Sequence, residues 1–154
     1  MGQGSIIGYE INEKTCQISF YNEKDLEPDT LEVDTDNYQI PLIIGKLRDT
    51  WAYGKEAKRL VTIKDGFTAT RLLSKSLAGD KIEFGEETYD AVWLLSQFIQ
   101  MSLQSFPEID GIVFTVPSLS EEMAQMLRGI AVRMNIDKRN IRSEEHTSEL
   151  QSRQ

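Results

Sequence analysis

A short apolar run followed directly by a helix pattern, in residues 110–134, constrains the fold of this chain more than any other segment. The run Ile112 to Val116 in DGIVFTVPSLSEEMAQMLRGIAVRM is typical of a strand covered on both faces by helices. Ser118 and Glu121 have the spacing of a capping box, which predicts a helix start at that point. The apolar residues that follow keep a helical period: Leu119, Met123, Met126, Leu127, Ile130 and Met134. The segment therefore predicts a strand and a helix of an α/β fold.

The stretch IIGYEINEKTCQISFY, residues 6–21, contains two apolar runs joined by the polar residues 12–15. Both runs are rich in β-branched and aromatic residues and are short, which predicts two strands of a hairpin. The pattern leaves open whether the turn binds a nucleotide phosphate or only connects the strands.

Further elements are expected between these two ends. Ile40 to Ile44 predicts a strand, and Gly54 a turn that leads into a short helical piece. A brief helix and a short strand follow in FTATRLLSKSLAGDKIEF. A long helix is predicted from Glu86 to Gln104, with a stop at Pro107 and this apolar stripe: Tyr89, Val92, Trp93, Leu95, Phe98, Ile99 and Leu103. The order of elements indicates an α/β protein with a mixed β-sheet flanked by helices.

Residues 22–37 are dominated by acidic side chains, and Pro28 interrupts any regular element there. Such a run can hold a divalent metal, but it lacks the ligand spacing of a calcium loop. We expect a solvated hairpin or loop.

The net charge of −8 over 154 residues excludes a basic footprint, so neither nucleic acid nor an anionic membrane surface is an expected partner. The single cysteine, Cys16, excludes an intrachain disulfide and is expected to be a buried apolar residue. No apolar run approaches the roughly 20 residues of a membrane helix. A cytoplasmic protein is the expectation.

The string from Arg142 to Ser152, RSEEHTSELQS, has no apolar period. It resembles the in-frame translation of a short-read sequencing adapter. Residues 142–154 are therefore expected to be a non-native or disordered tail, and the native chain to be cut near Ile141. The only histidine, His146, lies in this tail, so chemistry based on histidine is not expected.

Three strings resemble the first half of the ATPase domain in the actin, sugar-kinase and heat-shock-chaperone superfamily. Residues 8–14, GYEINEK, align with a G-I-D-L-G-T-T strand and turn. IPLIIGKLRDTWAYGKEAKRL is similar to a T-P-S strand followed by an I-G-x-x-A-K turn. GIVFTVPSLSEEMAQMLRGIAVRMNI is similar to a V-I-T-V-P-A strand and its helix. The resemblance implies that residues 1–141 are the first lobe of a ribonuclease-H-like (actin-like ATPase) half-domain.

The resemblance also implies the site. ATP would be bound at the first turn by Glu10, Asn12, Glu13, Lys14 and Thr15, with Glu10 directed to Mg²⁺; these cofactors are expected for the full-length protein only. The family's catalytic lysine has no clean counterpart, because Thr70 or Arg71 stands in its place, so the catalytic residue is unknown. The second phosphate loop and the adenosine site lie in the other half of such domains.

Two functions follow from this resemblance. The first is an actin-like ATPase in which the missing second lobe completes the nucleotide site. The second is a non-hydrolysing scaffold or protein-interaction module, with an unknown protein partner, that kept the fold after the phosphate loop degenerated. The scaffold is favoured by the turn, where the glycine and hydroxyl residues of the family are replaced by Asn12, Glu13 and Lys14. The ATPase is favoured by Glu10, which keeps a carboxylate.

Overall fold

A computed structural model describes residues 4–22, 29–31 and 38–146. These residues fall into two compact units. The first takes its described residues from 4–11, 17–22, 29–31 and 108–146, and the second from 12–16 and 38–107. Among the described residues no helix is long and apolar enough to cross a membrane.

Among the described residues the elements begin with six strands, after which strands and short helices are mixed. In chain order they are β1 Ser5–Ile11, β2 Thr15–Asn22, β3 Asp29–Thr30, β4 Gln39–Pro41, β5 Ile44–Leu47, β6 Thr50–Tyr53, α1 Lys55–Lys58, a 3₁₀ turn Arg59–Thr62, β7 Gly66–Ala69, α2 Leu72–Leu77, β8 Lys81–Phe84, β9 Glu87–Asp90, α3 Ala91–Ser102, β10 Ile109–Val116, α4 Glu121–Arg133, a 3₁₀ turn Lys138–Asn140 and β11 Ile141–Glu145.

The sheet of the first unit is mixed. Its strand order is β11-β10-β1-β2-β3, and β4 also pairs with β2. The first two residues of β2, Thr15 and Cys16, belong to the second unit. β10 runs parallel to both β1 and β11, whereas β2 and β3 pair antiparallel. The predicted mixed sheet of an α/β fold is therefore confirmed.

The core of the first unit follows the two-residue period of its strands. Ile7, Tyr9 and Ile11 of β1 are buried. Ile112, Phe114 and Val116 of the neighbouring strand β10 are buried on the same face of the sheet. The Tyr9 and Phe114 rings meet edge to face at 5.8 Å. From α4, the buried residues are Met123, Leu127, Ile130 and Ala131. The expected helix stripe thus supplies the core, although Leu119, Met126 and Met134 are only half-buried.

The second unit is built on the three-stranded sheet β6-β5-β7 and the separate hairpin β8-β9. Gly54 has φ +65°, a conformation that favours glycine, and the helical piece α1 begins directly after it as predicted. The helix α3 buries the residues Ala91, Leu94, Leu95, Ser96, Phe98, Ile99 and Ser102. Cys16 is also buried, as expected.

The sequence placed the start of the long helix wrongly. It begins at Ala91, because residues 87–90 pair antiparallel with 81–84 to form the β8-β9 hairpin. Gly85, with φ +66°, makes the turn between these strands. Tyr89 therefore lies on a strand, and its fit to the helical period was coincidental.

The predicted cap of the last helix was also wrong. The N-cap is Ser120, whose Oγ accepts a hydrogen bond from the Met123 amide at 3.1 Å. Ser118 stands two residues earlier, where the chain is not yet helical. Ser-x-x-Glu occurs here, but the backbone enters the helix only after the second serine.

Two further expectations differ in extent. The predicted strand Ile40 to Ile44 is divided between β4 and β5, with Leu42 and Ile43 between them. In the expected tail, Arg142 to Glu145 pair with β10 in the strand β11. A patternless string can form a strand because β10 offers a free edge to pair with. Residues 147–154 lie outside the described residues, as do 23–28 and 32–37 of the acidic run, and the foreign origin of the string stays a prediction.

Candidate functional site

The turn between β1 and β2 is closed by the side chain of Asn12. Its Oδ1 accepts hydrogen bonds from the amides of Lys14, at 2.8 Å, and Thr15, at 2.9 Å. Its Nδ2 lies 3.3 Å from Thr15 Oγ1, and the Asn12 amide donates to the Thr15 carbonyl at 2.9 Å. Asparagine often closes turns in this manner. The amides of Asn12, Lys14 and Thr15 are therefore already bonded within the turn.

Glu13 is bound to a helix start far along the chain. Its carboxylate accepts from the Ser74 amide at 2.7 Å and from Ser74 Oγ at 2.9 Å. Ser74 is the third residue of α2, and the first amides of a helix have no partner within the helix itself. Glu13 consequently caps α2 across 61 residues of sequence.

Lys14 and Arg71 line one cavity of about 300 Å³ in the second unit, together with Glu13, Thr70, Leu42 and Ile43. Arg71 has φ +54°, a left-handed conformation that costs free energy in a residue other than glycine. In the part of the chain that the structure describes, neither cation forms an ion pair. The cavity thus joins the predicted turn to the two residues that align with the family's catalytic lysine.

Glu10 lies in the first unit, at the carboxyl end of β1. Its Oε2 is 3.3 Å from His146 Nδ1, and both side chains are partly exposed. The His146 amide donates to the Val116 carbonyl at 2.7 Å, which fixes this segment beside β10. The sequence alone does not predict this pair, because His146 falls in the expected tail.

The predicted cofactors require particular donors. A nucleotide phosphate needs free backbone amides, and those of Lys14 and Thr15 are bonded to Asn12. The Glu13 carboxylate adds negative charge to the same turn. The described residues contain no group of three His, Cys, Asp or Glu side chains arranged to hold a metal ion. The residues of this turn therefore do not fit ATP phosphates. Among the described residues, Glu10 has no companion ligands for Mg²⁺.

A second group of residues with unusual electrostatics lies on one face of the sheet β6-β5-β7. Lys46 Nζ is 2.9 Å from Glu87 Oε1 and 3.1 Å from Tyr89 Oη. The same ammonium lies 5.2 Å from the centre of the Trp51 ring and 5.7 Å from that of Tyr89. The bonds to Glu87 and Tyr89 raise the pKa of Lys46, and the Lys46 ammonium lowers the pKa of Glu87.

We call the five rings on this face the aromatic cluster: Phe67, Phe84, Trp51, Tyr89 and Trp93. Phe67 stacks on Phe84 at 5.6 Å, Trp51 touches Phe84 and Tyr89, and Trp93 stacks on Tyr89 at 5.3 Å. The sequence alone does not predict the cluster, because the helical period places Tyr89 and Trp93 together on one helix. A signal is present in the sequence: polar and apolar residues alternate in KIEF, residues 81–84, and Gly85 follows. This combination is typical of a hairpin.

The fold and the site together define a class: an α/β protein with a mixed sheet, whose first turn is closed by its own side chains. The chain belongs to the family of unknown function described as DUF5716 C-terminal, which matches residues 27–149. The matched range extends past Arg142, where the foreign string is expected to begin. No curated protein matches the chain.

Proposed function

We propose that this chain is a non-hydrolysing scaffold or protein-interaction module of the ribonuclease-H-like, actin-like architecture. The observation that carries the proposal is the self-closed turn: Asn12 Oδ1 takes the Lys14 and Thr15 amides, and Glu13 is bound by Ser74. In this module the turn connects two strands and caps α2. Its role is to hold the fold together.

The architecture is supported by the mixed sheet of the first unit. It combines a hairpin with two parallel strands that follow later in the chain, and α4 connects those two strands. The three strings that resemble the superfamily lie on β1 with its turn, on residues 40–60, and on β10 with α4. The elements expected of each string are present, which is the arrangement that the resemblance implies.

The test is a calorimetric titration of the full-length protein, second lobe included, with ATP in the presence and absence of Mg²⁺. We expect no binding by the wild type. The matched variant restores the family turn, with Asn12→Gly, Glu13→Thr and Lys14→Thr, and frees the amides. Binding of ATP by the wild type, lost on removal of Mg²⁺, would overturn the proposal.

A second candidate, the actin-like ATPase, is favoured by one observation. Lys14 and Arg71 both line the cavity beside the turn, and two cations there are suited to phosphate. In that case ATP and Mg²⁺ are the cofactors of the full-length protein, and its second lobe completes the site. Glu10→Ala should then abolish Mg²⁺-dependent nucleotide binding in that protein. Unchanged affinity by calorimetry would rule the candidate out.

The partners that we propose are proteins: the second lobe of the same domain and a further partner of unknown identity. We propose the cytoplasm as the compartment. The single cysteine supports it, because Cys16 is buried in the second unit and forms no disulfide, which suits a reducing environment.

A further inference from the structure

Two rings of the aromatic cluster are open to solvent. Trp93 is 45% exposed and Phe67 is 38% exposed, while Phe84 between them is buried. Large exposed rings next to a packed cluster are costly to leave in water and often mark a contact surface. Both rings belong to the second unit, so the surface is complete within it.

The hairpin β8-β9, which contributes Phe84 and Tyr89 to the aromatic cluster, is strongly acidic. Residues 80–90 hold five acidic residues and one basic residue, a net charge of −4: Asp80, Glu83, Glu86, Glu87 and Asp90 against Lys81. Lys81 is engaged by Asp90 at 3.4 Å. A partner that covers these rings must therefore supply positive charge, since an acidic or neutral partner leaves the carboxylates opposed or unpaired.

Glu87 has one oxygen free for such a partner. Its Oε1 accepts from both Lys46, at 2.9 Å, and Tyr89 Oη, at 3.0 Å. Within the described ranges no group donates to Oε2, and 60% of the Glu87 side chain is exposed. Tyr89 links this carboxylate to Trp93, because its ring stacks on Trp93 at 5.3 Å and 20°.

The structure itself shows that this combination holds a cation. Lys46 is bound by one carboxylate and two rings of the same cluster. An arginine matches the remaining groups better than a lysine, because its planar guanidinium can stack on an indole ring while its N–H groups donate to a carboxylate.

We propose that the exposed end of the aromatic cluster, Trp93 with the free Oε2 of Glu87, docks an arginine-bearing basic segment of a partner protein. The proposal rests on the proposed function, because it names the chemistry of the module's partner. The chain's net charge of −8 opposes a second copy of itself, nucleic acid and an anionic membrane at the same surface.

The experiment measures binding of a fluorescein-labelled peptide of alternating arginine and glycine to the full chain, by anisotropy at low salt. A lysine–glycine peptide of the same length and charge is the comparison. We expect the arginine peptide to bind more tightly. Trp93→Leu should weaken it by about fivefold, the value of one exposed cation–π contact, and Trp93→Phe by less. Glu87→Gln should also weaken it.

Two control variants keep the outcome clear. Leu77→Ala removes another exposed apolar side chain of the second unit, and Glu56→Gln removes another exposed, ion-paired carboxylate; neither should change the affinity. Far-UV circular dichroism and a cooperative thermal melt confirm that each variant is folded. Equal binding of the two peptides, unchanged affinity in Trp93→Leu, or no binding would overturn the proposal, as would self-association of the chain through Trp93 in sedimentation.

Nucleotide binding is measured separately, so the two proposals can fail separately. A wild type that binds ATP with Mg²⁺ refutes the proposed function whatever the peptide does. A wild type that binds neither ATP nor the arginine peptide refutes only the docking surface.

Discussion

Glu13→Ala is expected to destabilise the second unit, because it removes the carboxylate that caps α2. Two bonds are lost, from the Ser74 amide at 2.7 Å and from Ser74 Oγ at 2.9 Å. The helix has only six residues, so little else fixes its first turn. Glu13 is therefore both a residue of the candidate site and a residue that stabilises the fold.

The magnitude follows from the geometry of the two bonds. A hydrogen bond to a charged group contributes about 1.5–3 kcal/mol when it is protected from water. These bonds are exposed to solvent, and a helix cap is worth about 0.5–2 kcal/mol. We expect a loss of about 1.5 kcal/mol for Glu13→Ala and about 0.7 kcal/mol for Ser74→Ala. The coupling between them should be about 0.5 kcal/mol in a double-mutant cycle.

The assay is urea unfolding at neutral pH, followed by tryptophan fluorescence. Trp51 and Trp93 both lie in the second unit, as Glu13 and Ser74 do, so the signal reports the unit that is perturbed. Glu56→Ala is the control, since its surface pair with Arg59 should contribute less than about 1 kcal/mol. Additive effects of the Glu13 and Ser74 variants would refute the bond between Glu13 and Ser74 Oγ. A Glu13→Ala protein as stable as the wild type would refute the cap itself.

Three further results are expected from the first unit. Ser120→Ala should lower stability by about 1 kcal/mol in thermal melting followed by circular dichroism. Ser118→Ala should change it by less than about 0.5 kcal/mol. A larger loss for Ser118→Ala than for Ser120→Ala would show that Ser118 is the cap. Phe114→Ala should cost about 3–5 kcal/mol in urea unfolding, since the ring is fully buried, and a loss below about 1 kcal/mol would contradict the packing. Arg139 holds the pKa of Asp137 at about 2, below its ordinary 3.8. This pairing stabilises the fold above about pH 3.8 and is lost as pH falls through 2, so carboxyl NMR titration should give about 2, and a higher value in Arg139→Gln.

The parts of the fold that the sequence predicted are those with local signals. The hairpin of residues 6–21 and the strand of residues 112–116 were recognisable because their apolar residues are contiguous or alternate. The turn at Gly54 was recognisable because glycine accommodates a positive φ. Each of these signals lies within a few residues of the element that it predicts.

The errors occurred where two local patterns compete. Tyr89 fits a helical period with Val92 and a strand pattern with Glu87, and the choice depends on the pairing with residues 81–84. Likewise, two serines precede α4, and only the direction of the backbone after β10 selects Ser120. A single-sequence pattern contains neither the partner strand nor the entry angle of the helix.

The candidate site divides in the same way. The amino-acid sequence by itself determined that Asn12, Glu13 and Lys14 share one turn and that glycine and hydroxyl residues are missing from it. Only the tertiary structure decided that Asn12 takes the turn amides, that Glu13 caps a helix 61 residues away, and that Lys46 lies among aromatic rings. The physical reason is distance along the chain. Residue types and spacing are local, whereas hydrogen-bond partners and ring contacts depend on which segments the fold brings together.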